Sequence, residues 1–199
     1  MSGELTGKTI AIVAAHEFED VELLYPVLRF SEAGATVWVV PVDAGLHTNP
    51  YLPGKPVTGR FGHTIPIAVM EPGVRYHVKS IDEVSADNVD ALMFPGGYSP
   101  DALRLHQPTL DLVRACYAAG KLVTAICHGP WVLVSAGLMA DRRATGYVAV
   151  RDDVINAGGE WVDAPAIVDG NIITGRVPDD LPEFCLAIIE ALATSGEDA

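Results

Sequence analysis

A cysteine lies in a short turn that could present it as a nucleophile. Residues 125–129 read AICHG, and Pro130 follows them. Small residues on both sides of a nucleophile permit a sharp, strained turn, the nucleophile elbow, that lifts the reactive atom above the end of a strand. We expect a helix that begins at Pro130 to direct its first amides at the sulfur, lowering the pKa of Cys127 and favouring its thiolate. The pattern predicts a nucleophilic cysteine at position 127.

Backbone amides and a histidine are candidates to complete this centre. Pro95, Gly96 and Gly97 follow another predicted strand, and glycine lets the backbone approach a ligand closely. We expect the amides of Gly97 and His128 to form an oxyanion hole. His128 is the leading base, because no histidine follows it in the sequence. Adjacent side chains on a helix diverge, so a direct contact of this base with the cysteine requires a distorted turn.

Alternating strand and helix patterns predict a parallel sheet that presents these turns at one edge. Apolar β-branched runs indicate strands, and apolar residues at helical spacing indicate helices. Ligands of such sheets bind beyond the carboxyl ends of the strands. The predicted strands are 8–15, 36–42, 89–94, 122–126, 161–168 and 171–174, and the predicted helices are 20–33, 108–119, 130–137 and 181–193.

One long segment, 43–80, shows no period of either type and is rich in glycine and proline. It contains His47, His63 and His77. Segments of this length tend to be binding elements, small hairpins or subunit contacts. Without an internal repeat or a linker in the sequence, we expect a single domain over 1–199.

The composition excludes several classes of protein. Thirteen Lys and Arg against 26 Asp and Glu give a net charge of −13, which disfavours nucleic acid as a partner. No apolar run reaches membrane-spanning length and the first residues do not form a signal peptide, so we expect a cytoplasmic protein. Three cysteines without CxxC spacing indicate neither a disulfide framework nor a zinc site. Cys116 and Cys185 fall in predicted helices and are expected to pack.

Four segments together resemble the PfpI superfamily of intracellular cysteine enzymes. They are AICHGP at 125–130, EFEDVELLYP at 17–26, FPGGYSP at 94–100 and DGNIITGRVPDDLP at 169–182. The resemblance covers most of the chain apart from 43–80. It implies a flavodoxin-like α/β sandwich of three layers with a mainly parallel sheet, related to class I glutamine amidotransferase domains, that assembles as a homodimer or a larger homo-oligomer.

The resemblance also assigns site residues. It implies that Cys127 is the nucleophile with His128 beside it, and that Glu22 is the acid close to the sulfur. A carboxylate beside a thiolate opposes its ionisation, so Glu22 must remain protonated and donate a hydrogen bond. Glu19 is the competing acid. In the protease-like branch the acid that orients the histidine comes from the neighbouring subunit, and its position here is Asp101.

Members of the superfamily are described as glyoxalases of type III, deglycases, intracellular proteases and stress proteins. We therefore expect a cysteine-dependent hydrolase or lyase that acts without a cofactor on methylglyoxal, another small carbonyl or a glycated protein. Two alternatives stay open: a cysteine peptidase with an intersubunit triad, and a redox-sensing stress protein or chaperone. A metal site from His16 and Glu17, or His47 with His63, is a weaker option, and we expect no metal.

Overall fold

A seven-stranded sheet forms the centre of the molecule. The computed structural model describes residues 3–45, 52 and 54–194. The strand order is β3-β2-β1-β4-β5-β9-β8, and every neighbouring pair is parallel except β8 with β9. A separate parallel pair joins β6 and β7. The strands are β1 (Thr9–Ala14), β2 (Thr36–Pro41), β3 (His77–Val78), β4 (Ala91–Phe94), β5 (Leu122–Ile126), β6 (Arg143–Ala144), β7 (Glu160–Trp161), β8 (Ala166–Asp169) and β9 (Ile172–Gly175).

Helices cover both faces of the sheet. Alternate strand residues pack against α1 and α6 on one face and against α2, α3, α4 and α5 on the other. Burial on both faces explains why the central strands are apolar throughout rather than alternating. This arrangement confirms the predicted three-layer sandwich. The helices are α1 (Asp20–Glu32), α2 (Ser99–Leu103), α3 (Gln107–Ala118), α4 (Pro130–Ala136), α5 (Arg151–Asn156) and α6 (Leu181–Thr194).

The sheet order determines which loops meet. Strands β1, β4 and β5 are neighbours and run parallel, so their carboxyl ends lie side by side. The loops that follow them are 15–19, 95–98 and 127–129. The sheet therefore brings the first turn of α1, the double glycine and the cysteine turn to one edge.

Some predicted boundaries differ from the structure. The hairpin around 169–170 is confirmed as β8 and β9, but the predicted strand 161–168 is wrong at its start. Trp161 belongs to β7, which pairs with β6 outside the main sheet. The short helices α2 and α5 were not predicted, because one or two turns give too few residues to establish a helical period.

The segment 43–80 packs partly against the start of α1. The buried carboxylate of Asp20 accepts hydrogen bonds from the Phe61 amide at 2.8 Å, the His63 amide at 2.9 Å and His63 Nδ1 at 2.7 Å. Residues 59–63 are thereby held beside the sheet edge. His77 is exposed in β3, whereas His47 lies outside the described residues. No helix in the described chain has the length and apolar character needed to span a membrane.

Candidate active site

The cysteine turn has the strained geometry of a nucleophile elbow. Cys127 follows β5 directly and has a φ of 60°, in the left-handed region that non-glycine residues rarely occupy. Its amide donates to the Gly175 carbonyl at 3.0 Å. A Cβ on Gly129 would lie 2.6 Å from the Phe94 carbonyl oxygen, so the turn requires a residue without a side chain there. The Cys127 side chain is 7% exposed and lines a cavity of about 360 Å³.

This backbone conformation brings the two adjacent side chains together. His128 Nδ1 lies 3.2 Å from Cys127 Sγ, a contact that regular helical geometry would not allow. The imidazole packs against the ring of Trp131 at a centroid distance of 5.2 Å and that of Tyr147 at 4.8 Å. Burial lowers the pKa of His128, and the charge of Asp101 acts in the opposite direction. His128 is therefore neutral at pH 7 and able to accept a proton from the sulfur.

Glu22 lies in the first turn of α1 and is fully buried against the cysteine turn. Its Oε2 accepts a hydrogen bond from the Gly96 amide at 2.6 Å, whereas its buried Oε1 has no hydrogen-bond partner among the described residues. The carboxyl and the Cys127 thiol lie close enough for each to shift the pKa of the other. Burial raises the pKa of Glu22 from 4.5 to about 8, with the charge of Glu19 as a smaller contribution. At pH 7 the carboxyl is thus mostly protonated. Its proton is available to the sulfur.

The pKa of Cys127 shifts opposite to the direction expected from the sequence. Burial raises it, and an ionised Glu22 raises it further. The backbone amides of His128 and Gly97 lower the pKa of the sulfur, but they do not outweigh burial. When Glu22 is protonated it carries no charge, so it no longer raises the pKa of Cys127 through charge repulsion. Ionisation of the sulfur therefore depends on Glu22 staying neutral and on His128 as proton acceptor.

The double glycine allows these groups to approach one another. A Cβ on Gly96 would lie 2.8 Å from Cys127 Cβ and 3.0 Å from Glu22 Oε2. Gly97 has a φ of 68°, and a Cβ there would clash with the Glu17 carbonyl oxygen. The Gly96 amide is bonded to Glu22. The amides that favour an ionised sulfur are those of Gly97 and His128, the two that were expected to form the oxyanion hole.

Comparison with known proteins identifies the family. Residues 8–191 match the model of the DJ-1/PfpI family. The chain belongs to this family. It is 38% identical over 183 residues to "Deglycase PfpI" of Pyrococcus furiosus, covering 92% of this chain and 98% of the relative. It is 39% identical over 178 residues to "Protein/nucleic acid deglycase 2" of Escherichia coli, covering 89% and 93%.

A solved structure gives the same assignment. The crystal structure of Drosophila melanogaster DJ-1beta superposes with a TM-score of 0.74 and 27% identity, covering 94% of this chain and 90% of that one. The resemblance inferred from the four sequence segments is therefore confirmed, and with it the flavodoxin-like fold of the family.

Asp101 lies close to His128 in the same chain but does not bond to it. It is half-buried in the first turn of α2. Its Oδ2 is buried and has no hydrogen-bond partner among the residues that the structure describes. Burial raises the pKa of Asp101, and the charge of His128 lowers it. Within one chain Asp101 therefore influences His128 through charge alone.

Glu19 lines the cavity and is paired with Arg60 rather than with the sulfur. It accepts a hydrogen bond from Arg60 Nη1 at 3.0 Å, and the Arg60 guanidinium carbon lies 5.2 Å from the centroid of the Tyr98 ring. Neither Arg60 nor Tyr147 was predicted, although both line the cavity. Arg60 lies in the segment 43–80, which was expected to be a binding element, a small hairpin or a subunit contact.

The remaining histidines and cysteines that the structure describes do not contact Cys127. His16 Nδ1 accepts from the Thr58 amide at 3.2 Å, and His63 is bonded to Asp20. Within 3–45, 52 and 54–194, no three His, Cys, Asp or Glu residues are grouped as a metal site would require. Cys116 and Cys185 are fully buried, and burial raises their pKa values to about 11 and about 12.

Proposed function

We propose that this protein is a cysteine-dependent enzyme that acts on reactive carbonyls without a cofactor, in the manner of a glyoxalase of type III or a deglycase. The observation that carries the proposal is the fully buried carboxyl of Glu22 beside Cys127, which itself lines a cavity. Burial favours the protonated form of this carboxyl. A neutral carboxylic acid beside sulfur can donate a proton to a carbonyl-derived oxygen, which a carboxylate cannot do.

The reaction begins with proton transfer from Cys127 to His128 Nδ1 as the sulfur attacks the aldehyde carbon. The new C–S bond converts the carbonyl oxygen into an oxyanion. The amides of Gly97 and His128 stabilise this charge, and a proton from Glu22 or His128 completes the hemithioacetal. Glu22 is regenerated when it takes up the proton lost in a later step.

Methylglyoxal illustrates why no redox partner is required. Transfer of the hydrogen from the aldehyde-derived carbon to the neighbouring carbon oxidises the first and reduces the second, giving a thioester of lactate on Cys127. Water then cleaves the C–S bond and releases lactate and the thiol. For a glycated amine, cleavage of the C–N bond also releases the amine. The relatives named deglycases support a substrate of this class.

The test is methylglyoxal consumption together with lactate release. We expect wild-type turnover, and loss of turnover in Cys127→Ser, Glu22→Ala and His128→Ala. Cys116→Ser is the matched control, because it makes the same change at a cysteine outside the site. Circular dichroism checks that each variant is folded. Turnover retained by a folded Cys127→Ser variant would contradict the proposal.

Two further measurements separate the alternatives. We propose that the protein forms a homodimer or larger homo-oligomer, in which Asp101 of one subunit can face His128 of another. Asp101→Asn tests that contact: loss of peptide cleavage with retained carbonyl turnover would favour the peptidase. A stable peroxide-oxidised Cys127 that alters partner binding, in a protein without turnover, would favour the redox sensor.

A further inference from the structure

A second cavity adjoins the active-site cavity. It has a volume of about 410 Å³, and Tyr147 and Val177 line both cavities. A three-carbon dicarbonyl is about the size of three water molecules, roughly 90 Å³, and occupies only a fraction of the first cavity. The adjoining space is therefore available to a part of the substrate that extends away from the reacting carbonyl.

The walls of the second cavity are largely apolar. Val148 is 63% exposed and Tyr147 is 40% exposed, so the chain leaves substantial apolar surface open there. Trp161 from β7 is half-buried and forms part of the same wall. Its side chain makes no hydrogen bond to other residues in the described part of the chain, which leaves the indole N–H available as a donor.

The charged side chains of the wall are paired with each other or with near neighbours. Arg176 donates from Nε to Asp180 at 2.9 Å and from Nη1 to Asp163 at 2.7 Å. Arg151 Nε donates to Asp152 at 3.0 Å. This pairing disfavours recognition of a net charge. The carboxylates also hold the planar guanidinium of Arg176 in place, and such a plane stacks well against aromatic rings.

The wall between the cavities is attached directly to the nucleophile turn. The Tyr147 amide donates to the Cys127 carbonyl at 2.8 Å, and the Thr145 amide donates to Thr174 Oγ1 at 2.9 Å. A Cβ on Gly146 would lie 2.9 Å from the Cys127 carbonyl oxygen, so this loop approaches the turn as closely as glycine allows. The second cavity thus has a set position relative to the sulfur.

We propose that this second cavity, formed by Tyr147, Val148, Trp161, Arg176 and Val177, binds an uncharged planar aromatic group carried by the substrate. The inference rests on the proposed function and deepens it. The preferred substrates are dicarbonyls or glycated compounds with an aryl group beyond the reach of the first cavity, and methylglyoxal is a poor substrate by comparison.

A series of substrates of increasing length tests this assignment. We expect wild-type kcat/KM to rise from methylglyoxal through phenylglyoxal to 4-biphenylglyoxal, whose second ring extends farthest from the carbonyl. In Trp161→Ala, the ratio of kcat/KM for 4-biphenylglyoxal to that for methylglyoxal should fall about tenfold, the discrimination typical of a lost apolar contact in a pocket. Val148 is exposed and lines the same cavity. Val148→Asp therefore puts a charge where the aromatic group would bind, and it should lower this kcat/KM ratio by a similar factor.

Val69→Asp is the matched control, because Val69 is 73% exposed and lies outside both cavities. It should leave the ratio at the wild-type value. The subsite is overturned, and the proposed function is not, if the wild-type enzyme turns over methylglyoxal but the kcat/KM ratio is the same in Trp161→Ala and Val148→Asp as in wild type. Absence of turnover on all three dicarbonyls overturns the proposed function itself. An unchanged ratio with an altered oligomeric state in Trp161→Ala assigns the cavity to a subunit contact and overturns the inference.

Discussion

Replacing Glu22 by glutamine tests whether the buried carboxyl is protonated in the folded protein. The folded state holds its proton up to about pH 8, whereas the unfolded chain releases it near pH 4.5. Between these values the folded protein binds one more proton than the unfolded chain does. Stability from this group is therefore complete below pH 4.5 and is lost as the pH rises to 8. Glu22→Gln has no such proton to lose.

The size of the effect follows from the pKa difference. The free energy of unfolding of wild type should fall relative to that of Glu22→Gln by about 1.4 kcal/mol per pH unit within this window. Between pH 5.5 and pH 7.5 the change is about 2–3 kcal/mol. For a chain of this length, it corresponds to a change of roughly 5–10 °C in the difference between the two melting temperatures. The absolute stability of either protein does not enter the comparison.

The assay is chemical denaturation of both proteins at several pH values. Glu183→Gln serves as a control, because Glu183 is exposed on α6 and its carboxyl faces solvent in the folded and unfolded states alike. The difference in the free energy of unfolding between Glu183→Gln and wild type should stay constant from pH 5.5 to pH 7.5. A constant difference between wild type and Glu22→Gln from pH 5.5 to pH 7.5 would refute the reasoning, because Glu22 would then be ionised in the folded protein.

Three further outcomes are expected. Gly96→Ala should lower kcat/KM at least a hundredfold in steady-state kinetics, because its Cβ would lie 2.8 Å from Cys127 Cβ. Activity near the wild-type value would show that the Gly96 loop and the cysteine turn can separate to make room for the methyl group. Glu19→Gln should move the alkaline limb of the pH–rate profile to lower pH, since the charge of Glu19 raises the pKa of Glu22; a shift to higher pH is the contrary result. His128→Gln should reduce kcat by about 10²–10⁴ and slow alkylation of Cys127 at pH 7, and an unchanged alkylation rate would argue against His128 as the base.

Local patterns were sufficient to predict the sheet and the cysteine turn. The strand that precedes Cys127 is apolar except for Thr124, and the small residues that flank Cys127 form a signature that lies entirely within a few positions. Glu22 was assigned through the resemblance to a family, because nothing local to α1 distinguishes it from Glu19. The structure separates them by burial: Glu22 is fully buried, whereas Glu19 is partly exposed and paired with Arg60.

Properties that depend on packing between distant elements could not be predicted. The direction of the pKa shift of Cys127 depends on how completely three loops bury the sulfur, which no single segment encodes. Arg60 and Tyr147 reach the cavity from loops without a period, so their positions follow only from tertiary contacts. The same holds for the second cavity, whose wall combines Trp161 of β7 with residues of two other loops.

Infrared difference spectroscopy of wild type against Glu22→Gln observes the protonated carboxyl itself. The proposed mechanism requires this proton beside Cys127 at neutral pH. We expect a protonated-carboxyl C=O band at pH 6.5 that the variant lacks and that disappears with a midpoint near pH 8. A carboxylate signal alone at pH 6.5 would contradict the account.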